Sequence, residues 1–376
     1  MRRGRDDGTG LATEDTGARI LPLSQPLLLA DLSALMLYLD GLEAVADPTV
    51  PEPQADLPAP PRPLWQRLLL GALKLTLSLG LMAFVLRDTS LSALWQTFRR
   101  VQPLWVLAAM SMHGFMVAVS VWRWHPLLDA QHVRIPARRL TESFWVALFF
   151  NNFLPSNIGG DVVRIADTSK PAGSKTLATM VILVDRVLGL FALLSVGAIG
   201  AMGARSIGVD IPGTIWIEVG ALAALAGCLL LFFAPGLLDL VLRPVRALGH
   251  PWVLERLETL QRTLARFRER PSALAGALLG AVLVQGVIVA FYALTARSLS
   301  VPLPLVMAGV LVPVALVLQM APVSINGFGV REAVFSFFFA RFGLGVEAAV
   351  AVSLLGTALI MLFSLGGGAL FLLRRH

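Results

Sequence analysis

The chain has 376 residues, of which 56% are apolar and only 15% are charged, and its mean hydropathy is +0.74. These values exclude a soluble globular protein and indicate a polytopic membrane protein, because several apolar runs exceed the roughly 20 residues that cross a bilayer. The net charge of +7 does not indicate nucleic-acid binding, because the basic residues lie in loops beside the apolar runs, where anionic lipid headgroups attract them.

Residues 1–63 differ in composition from the rest of the chain and are rich in proline, glycine and acidic residues. Such a segment cannot form a packed core, and we predict a disordered extension with one surface-lying helix near residues 20–39. A signal peptide is the alternative reading of that apolar stretch. It is disfavoured because Pro22, Pro26 and Asp31 interrupt the run and no small-residue cleavage site follows it.

Residues 64–373 form the predicted membrane domain. Apolar length predicts six full spans, at 64–86, 103–122, 175–202, 212–234, 272–297 and 345–373. Two further apolar stretches, 141–170 and 304–342, are each interrupted by a Pro/Gly break, and their arms of about 15 to 18 residues are short for a crossing. We therefore predict two re-entrant helical hairpins, whose non-helical tips must be buried in protein or face a watery cavity.

The two breaks carry the same motif. Residues 155–164 read PSNIGGDVVR and residues 322–331 read PVSINGFGVR. At a constant offset five of the ten positions coincide: Pro155/Pro322, Ile158/Ile325, Gly160/Gly327, Val163/Val330 and Arg164/Arg331. A broken helix at matching points of two halves of an apolar chain is typical of a transporter binding site.

The arginines predict the orientation of the domain. Segments 123–140 and 235–270 and the C-terminus are rich in arginine, which places them and both termini in the cytoplasm. Loop 87–102 is the exception, because it contains Arg87, Arg99 and Arg100 but is placed outside by this orientation. Three predicted spans separate the two motifs, so the first hairpin enters from the cytoplasmic side and the second from outside. This is the topology of an inverted repeat.

Charged residues within the apolar stretches need partners or a function, because each costs on the order of 3 kcal/mol or more at the membrane centre. Asp161 and Arg164 share a helix face and either neutralise each other or leave Arg164 free for an anionic group, with the amides of Gly159 and Gly160 assisting. Asp185 and Arg186 lie near the midplane and either pair with the hairpins or contact substrate.

Arg331 and Glu332 follow the second break. Neighbouring side chains on a helix point about 100° apart, so they are not expected to neutralise each other fully. Because Arg331 occupies the place of Arg164 in the repeat, a shared phosphate-facing role is predicted. The amides Asn151, Asn152, Asn157 and Asn326 either satisfy backbone groups freed by the breaks or bind substrate.

The sequence contains few signals of enzymatic activity. The sequence contains no His-Glu-x-x-His, no nucleotide-binding glycine loop and no Gly-x-Ser-x-Gly. The spacing of His113, His125 and His132 does not suggest a metal site. No catalytic residue, cofactor or metal is therefore predicted.

The order of these motifs resembles a known family. Asn151-Asn152 to Arg164, then Asp185-Arg186, then Pro322 to Glu332 are similar to the transmembrane region of lysylphosphatidylglycerol synthases and to related free-standing flippase-like proteins. The resemblance spans about residues 64–373 and implies translocation of polar-headed lipids. It implies motif roles for Asn152, Pro155, Gly160, Asp161, Arg164, Asp185, Arg186, Pro322, Gly327, Gly329 and Glu332. The soluble aminoacyl-transferase domain of the two-part synthases is lacking, so that activity is not carried over.

The sequence thus predicts an all-α polytopic protein of the cell membrane that transports phosphate-bearing or glycosylated lipids. To the motif residues above, the predicted substrate site adds Asn157, Asn326 and Arg331. Membrane lipids are the expected partners. A small-solute or ion transporter, or a membrane-embedded component of a lipid-modifying system, are the alternatives, and the sequence does not indicate an oligomeric state.

Overall fold

A computed structural model describes residues 64–87, 90–154, 159–209, 211, 213–247, 251–321, 324 and 326–374, and over these residues the fold is entirely helical. The N-terminal extension 1–63, with its predicted surface helix, lies outside the described residues. The thirteen helices of the described residues are α1 (Leu64–Arg87), α2 (Leu91–Arg99), α3 (Pro103–Ala130), α4 (Ala137–Phe153), α5 (Gly159–Ala172), α6 (Lys175–Ser206), α7 (Thr214–Phe233), α8 (Pro235–Arg246), α9 (Pro251–Glu269), α10 (Pro271–Ser298), α11 (Leu305–Met320), α12 (Val330–Arg341) and α13 (Val346–Leu373).

Five of these helices, α3, α6, α7, α10 and α13, are long and apolar enough to cross a membrane. A sixth span requires α1 and α2 to count as one bent pair, with an angle of 90° between them. The prediction of a polytopic helical membrane protein is confirmed. Helix α7 has little buried surface and exposes large apolar side chains such as Leu222 and Trp216, as expected for a helix that faces lipid.

Helix α3 is longer than predicted. The predicted span ended at residue 122, with Arg123 in a cytoplasmic loop, but α3 continues to Ala130 and Pro126 does not end it. That boundary was wrong because Arg123 has a carboxylate partner inside the protein. Its side chain is only 12% exposed and lies against Asp185, so the charge does not require a loop.

Each interrupted stretch folds as a pair of short helices. Helices α4 and α5 have 17 and 14 residues and pack against each other, and α11 and α12 have 16 and 12 and do the same. Asn151 Oδ1 accepts a hydrogen bond of 2.9 Å from the N–H of Gly160 and so caps α5 across the first break. This confirms, for Asn151, the prediction that polar side chains satisfy backbone groups freed by the break.

Glycines allow the long helices and the short ones to approach closely. A Cβ atom at Gly200 of α6 would lie 2.5 Å from the carbonyl carbon of Gly309 in α11, and one at Gly367 of α13 would collide with the Trp145 carbonyl in α4. Gly200 and Gly367 are 167 residues apart (367 − 200), the same offset as Pro155 and Pro322 (322 − 155). Each short-helix pair thus packs on a long helix from the other half of the chain.

Helices α3 and α10 form the centre of the bundle and run antiparallel. At one end the N–H of Gln102 donates to the Ser298 carbonyl at 2.8 Å, and at the other end Gly280 lies against the Cβ of Arg123. The amphipathic helices α8 and α9 lie beyond one end of the spans. Arg268 Nε donates to the Phe232 carbonyl of α7 at 2.7 Å, and Arg270 Nη1 donates to the Asp129 carbonyl of α3 at 3.2 Å.

Candidate functional site

Five charged side chains from α3, α5 and α6 form what we term the charge cluster: Arg123, Asp161, Arg164, Asp185 and Arg186. Asp185 is held by two arginines, with Arg123 Nη2 at 2.8 Å from Oδ1 and Arg164 Nη2 at 3.0 Å from Oδ2. Asp161 is held by Arg186, whose Nη2 and Nε lie 2.7 Å and 2.8 Å from Oδ2. The predicted pair within α5 is weaker, because Arg164 Nη1 lies 3.8 Å from Asp161 Oδ1.

The charge cluster is mostly buried, and its charges do not balance. Its three arginines and two aspartates sum to a charge of +1 (3 − 2). The side chains of Arg164 and Asp185 are 7% and 3% exposed, whereas that of Arg186 is 45% exposed. Among the described residues, Nε of Arg123 and Nε of Arg164 have no hydrogen-bond acceptor. A net positive charge at a partly buried cluster with unused donors is a favourable environment for an anionic group.

A cavity of about 230 Å³ borders the charge cluster. Besides the five charged residues, Ser120, Asn151 and Gln285 give it polar groups, and Leu148, Leu193 and Met320 are among its apolar walls. Met320 is the last residue of α11, so both interrupted stretches reach this cavity. The cavity therefore combines a charged end with apolar walls, as a site for an amphiphile requires.

Aromatic side chains fix the orientation of Arg164. Its guanidinium carbon lies 4.2 Å from the ring centre of the buried Trp124 and 5.5 Å from that of Phe144. Cation–π contacts of this kind strengthen when they are desolvated and hold the planar guanidinium in one orientation. The guanidinium is thus positioned before any ligand arrives.

The second break has a different electrostatic structure. Arg331 and Glu332, which we term the Arg331 pair, lie at the start of α12, and Glu332 is fully buried. Arg331 Nε donates to Ser353 Oγ at 3.0 Å, and that hydroxyl donates to Glu332 Oε1 at 2.7 Å. Glu332 Oε2 accepts the N–H of Gly329 at 2.7 Å. The charges of this pair sum to zero.

The expectation that Arg331 and Glu332 point apart is wrong, because Arg331 Nη2 lies 3.3 Å from Glu332 Oε1. The physical reason is helix capping. Glu332 is the third residue of α12 and folds back to the free N–H of Gly329, which brings its carboxylate to the side of Arg331. The ideal angle between neighbouring side chains on a helix takes no account of a side chain, such as that of Glu332, that folds back onto the start of its own helix.

The sequence of residues 71–368 matches the family described as the lysylphosphatidylglycerol synthase TM region. This match covers 298 of 376 residues (368 − 71 + 1) and includes both breaks, the charge cluster and the Arg331 pair. The chain belongs to this family. The resemblance inferred from the motifs is thereby confirmed, and the chain is a multi-pass membrane protein of a lipid-related family. No curated protein matches the chain.

The two breaks of this family member meet in the structure. Asn326 Nδ2 donates to the Asn152 carbonyl at 3.1 Å, which joins the segment after α11 to the end of α4. Gly327 and Gly329 have φ angles of 75° and 83°, in the left-handed region that favours glycine. At Gly160, a side chain would collide with the Ala147 carbonyl of α4. Pro155, Asn157 and Pro322 lie outside the described residues.

Sequence reasoning missed Arg123, Asn151 and Gln285 as residues of the site. Arg123 was assigned to a loop, although it lies three residues after Ser120 and thus on the same helix face, and both line the cavity. For Asn151 the sequence left backbone satisfaction and substrate binding both open, and Asn151 was not included in the predicted site; it bonds the backbone while also lining the cavity. Nothing in the sequence around Gln285 marks it as a residue of the site, although it lines the cavity.

Proposed function

We propose that this protein transports membrane lipids with a polar, phosphate-bearing headgroup across the bilayer, and that the headgroup enters the cavity beside the charge cluster. The observation that carries the proposal is the cluster's net charge of +1, with two guanidinium N–H groups that lack an acceptor, at the edge of a cavity inside a membrane protein. Membership of a lipid-related family supports lipid as the substrate class.

The physical argument is charge compensation. An uncompensated charge within the membrane costs on the order of 3 kcal/mol or more, and one phosphodiester group would neutralise the cluster. Arginine binds phosphate through two parallel N–H···O bonds, and the Nε–H groups of Arg123 and Arg164 have no acceptor among the described residues. The N–H of Gly160, which the sequence suggested as a further donor, is already bonded to Asn151.

We assign different roles to the two motif arginines. Arg164, with Arg123 and Arg186, is proposed to contact the headgroup, and Asp161 and Asp185 to hold these arginines in place. Arg331 and Glu332 are proposed to fix the start of α12, because they pair with each other and bond to Ser353 and to the N–H of Gly329. Asn152 and Asn326 connect the two breaks, and the roles of Pro155, Asn157 and Pro322 stay sequence predictions.

We further propose that the α4–α5 and α11–α12 pairs are re-entrant hairpins of an inverted repeat, with both termini in the cytoplasm. The common offset of 167 residues for Pro155/Pro322 and Gly200/Gly367 supports the repeat. Single cysteines introduced as Ser206→Cys and Thr259→Cys, in a Cys228→Ser background, test the topology. Ser206→Cys is expected to react with an impermeant reagent from outside and Thr259→Cys only from inside. Labelling of both from one face contradicts the inverted repeat.

Lipid transport is tested with the purified protein in vesicles that contain fluorescent anionic or zwitterionic lipids. Movement of anionic lipid between leaflets is expected to exceed the protein-free background, and to be impaired in Arg164→Lys, which keeps the charge but loses the fork. Arg262→Lys, at an exposed arginine of α9, is the matched control and should transport like the wild type. Uptake of a small solute or ion without lipid movement would overturn the proposal.

A further inference from the structure

Helices α8 and α9 are neighbouring amphipathic helices that face their surroundings in opposite ways. Helix α9 buries Leu264 and Phe267 completely and exposes charged side chains, among them those of Glu258 and Arg262. An amphipathic helix at a surface in contact with water has this arrangement, with its apolar side toward the protein. The exposed side of α9 therefore suits water.

Helix α8 has the reverse arrangement. Leu237, Leu240 and Val241 are each more than half exposed, and their spacing of three and four residues places them on one face of the helix. Near the opposite face, the Asp239 carboxylate accepts a hydrogen bond from the side-chain amide of Gln261 in α9. The charged side of α8 thus turns toward protein, and its apolar side turns away from it.

The exposed apolar face of α8 continues the lipid-facing surface of α7. Phe233, the last residue of α7, is largely exposed, and α8 begins two residues later at Pro235. A contiguous exposed apolar surface on a folded protein marks contact with a partner or a membrane. Because α8 follows directly from the end of a helix that faces lipid, the apolar medium nearest to it is the same bilayer, at the depth where hydrocarbon meets the headgroups.

The charge around α8 suits an anionic surface. Residues 235–270 contain seven arginines and four acidic residues, a net charge of +3 (7 − 4) with histidine neutral. Arg243 is exposed in α8, on the flank of the apolar face. An arginine beside a bilayer is attracted to anionic headgroups, and its stem covers hydrocarbon while its guanidinium stays among the headgroups.

We infer that α8 lies in the membrane surface at the end of α7, with Leu237, Leu240 and Val241 inserted below the headgroups and Arg243 in contact with anionic lipid. A second copy of the chain fits this face less well, because a two-fold interface would bring the positive charge of the segment against itself. The inference goes beyond the proposed transport site and does not depend on it.

Fluorescence quenching at single cysteines tests the position of α8. Leu240→Cys on α8 and Glu258→Cys on α9, each in a Cys228→Ser background, are labelled with bimane. The full chain is placed in nanodiscs of phosphatidylcholine and phosphatidylglycerol. We expect lipids with a nitroxide on the acyl chain to quench the α8 probe, and iodide to quench it several-fold less than the α9 probe.

Equal quenching of the two probes by iodide overturns the inference, because the apolar face of α8 then lies in water. An α8 probe that neither quencher reaches also overturns it, since a second copy or another segment of the chain then covers this face.

Arg243→Gln tests the contact with anionic lipid. In the detergent-solubilised full chain, phosphatidylglycerol should raise the unfolding temperature more than phosphatidylcholine does. We expect this difference to shrink in Arg243→Gln and to persist in Arg262→Gln, at the exposed charged face of α9. A wild type without the difference, or an unchanged difference in Arg243→Gln, contradicts the contact. Neither experiment measures transport, so failure of this inference and failure of the proposed function are distinguishable.

Discussion

The charge cluster and the Arg331 pair begin from the same motif position and reach opposite electrostatic solutions. Arg164 shares its carboxylates with two further arginines and leaves a charge of +1 beside a cavity, whereas Arg331 is bonded to Glu332 and Ser353 in a neutral group. The difference teaches that the neighbours of a motif arginine, and not its place in the motif, decide whether it forms a neutral pair or part of a cluster with net charge.

The largest effect is expected from Arg331→Ala. The change leaves the fully buried Glu332 carboxylate without a cation, and breaking a buried ion pair in this way costs about 3–5 kcal/mol. The detergent-solubilised variant should unfold at a markedly lower temperature than the wild type, as followed by size-exclusion fluorescence. Arg331→Met combined with Glu332→Gln removes both charges and should recover most of the loss. Wild-type stability of Arg331→Ala would contradict a structural role for the pair.

Arg164→Ala is expected to abolish lipid transport with a smaller loss of stability. Asp185 keeps Arg123 at 2.8 Å and Asp161 keeps Arg186 at 2.7 Å, so neither carboxylate becomes unpaired. The loss in free energy of unfolding should therefore stay well below the ~3–5 kcal/mol that a stranded charge costs. Vesicle transport and thermal unfolding are measured on the same preparation, with Arg262→Ala as the control. If Arg164→Ala combined with Asp161→Asn transports at the full rate, Arg164 does not bind the headgroup.

Gly200→Ala and Gly367→Ala test whether the two halves pack equivalently. Each adds a methyl group against the backbone of α11 or α4, and such overpacking costs typically ~1–3 kcal/mol. Both variants should lower the unfolding temperature by similar amounts. Gly220→Ala, whose Cβ would lie 3.7 Å from Leu194, is the matched control and should change little. A large effect at only one of the two sites would indicate that the halves are not equivalent.

The smallest effect is expected from Arg374→Ala. Arg374 Nη1 lies 2.9 Å from Asp167 Oδ2 and ties the end of α13 to α5, but both side chains are about one third exposed. Ion pairs of this kind contribute about 0–1 kcal/mol and weaken in salt. Unfolding temperatures measured at low and high salt should differ less in the variant than in the wild type. A loss of stability as large as that of Arg331→Ala would contradict a minor role for this ion pair.

The sequence predicted the parts of the fold that depend on local composition. Apolar length identified the five candidate spans, but the sixth predicted span, 64–86, qualifies only if α1 and α2 count as one bent pair. Proline and glycine identified both breaks, because these residues tend to end a helix. The charge pairing was less predictable. Asp161 and Arg164 are near in sequence, yet the short contacts of each are to α6, so the i,i+3 spacing indicated the helix face and not the partner.

Arg123 shows the limit of that approach. An arginine at the end of an apolar run is ordinarily counted as part of a loop, and only its contact with Asp185, 62 residues away (185 − 123), places it inside the protein. The position of Glu332 depended on a free N–H at Gly329, a backbone detail that composition does not reveal. Long-range pairing and helix capping therefore account for most of what the sequence did not predict.

The contacts of Arg268 and Arg270 have a mechanical consequence. The segment at the end of α9 bonds to the C-terminal carbonyl groups of two other helices, that of Asp129 in α3 and that of Phe232 in α7. In the opposite direction, the side chain of Gln131, just after α3, donates to the Thr263 carbonyl of α9 at 3.1 Å. Because these bonds to arginine are charge-assisted, sliding α3 along its axis relative to α7 requires several of them to break together. The segment therefore holds the ends of α3 and α7 together, and any relative motion of these two helices is expected to be smallest at this end of the bundle.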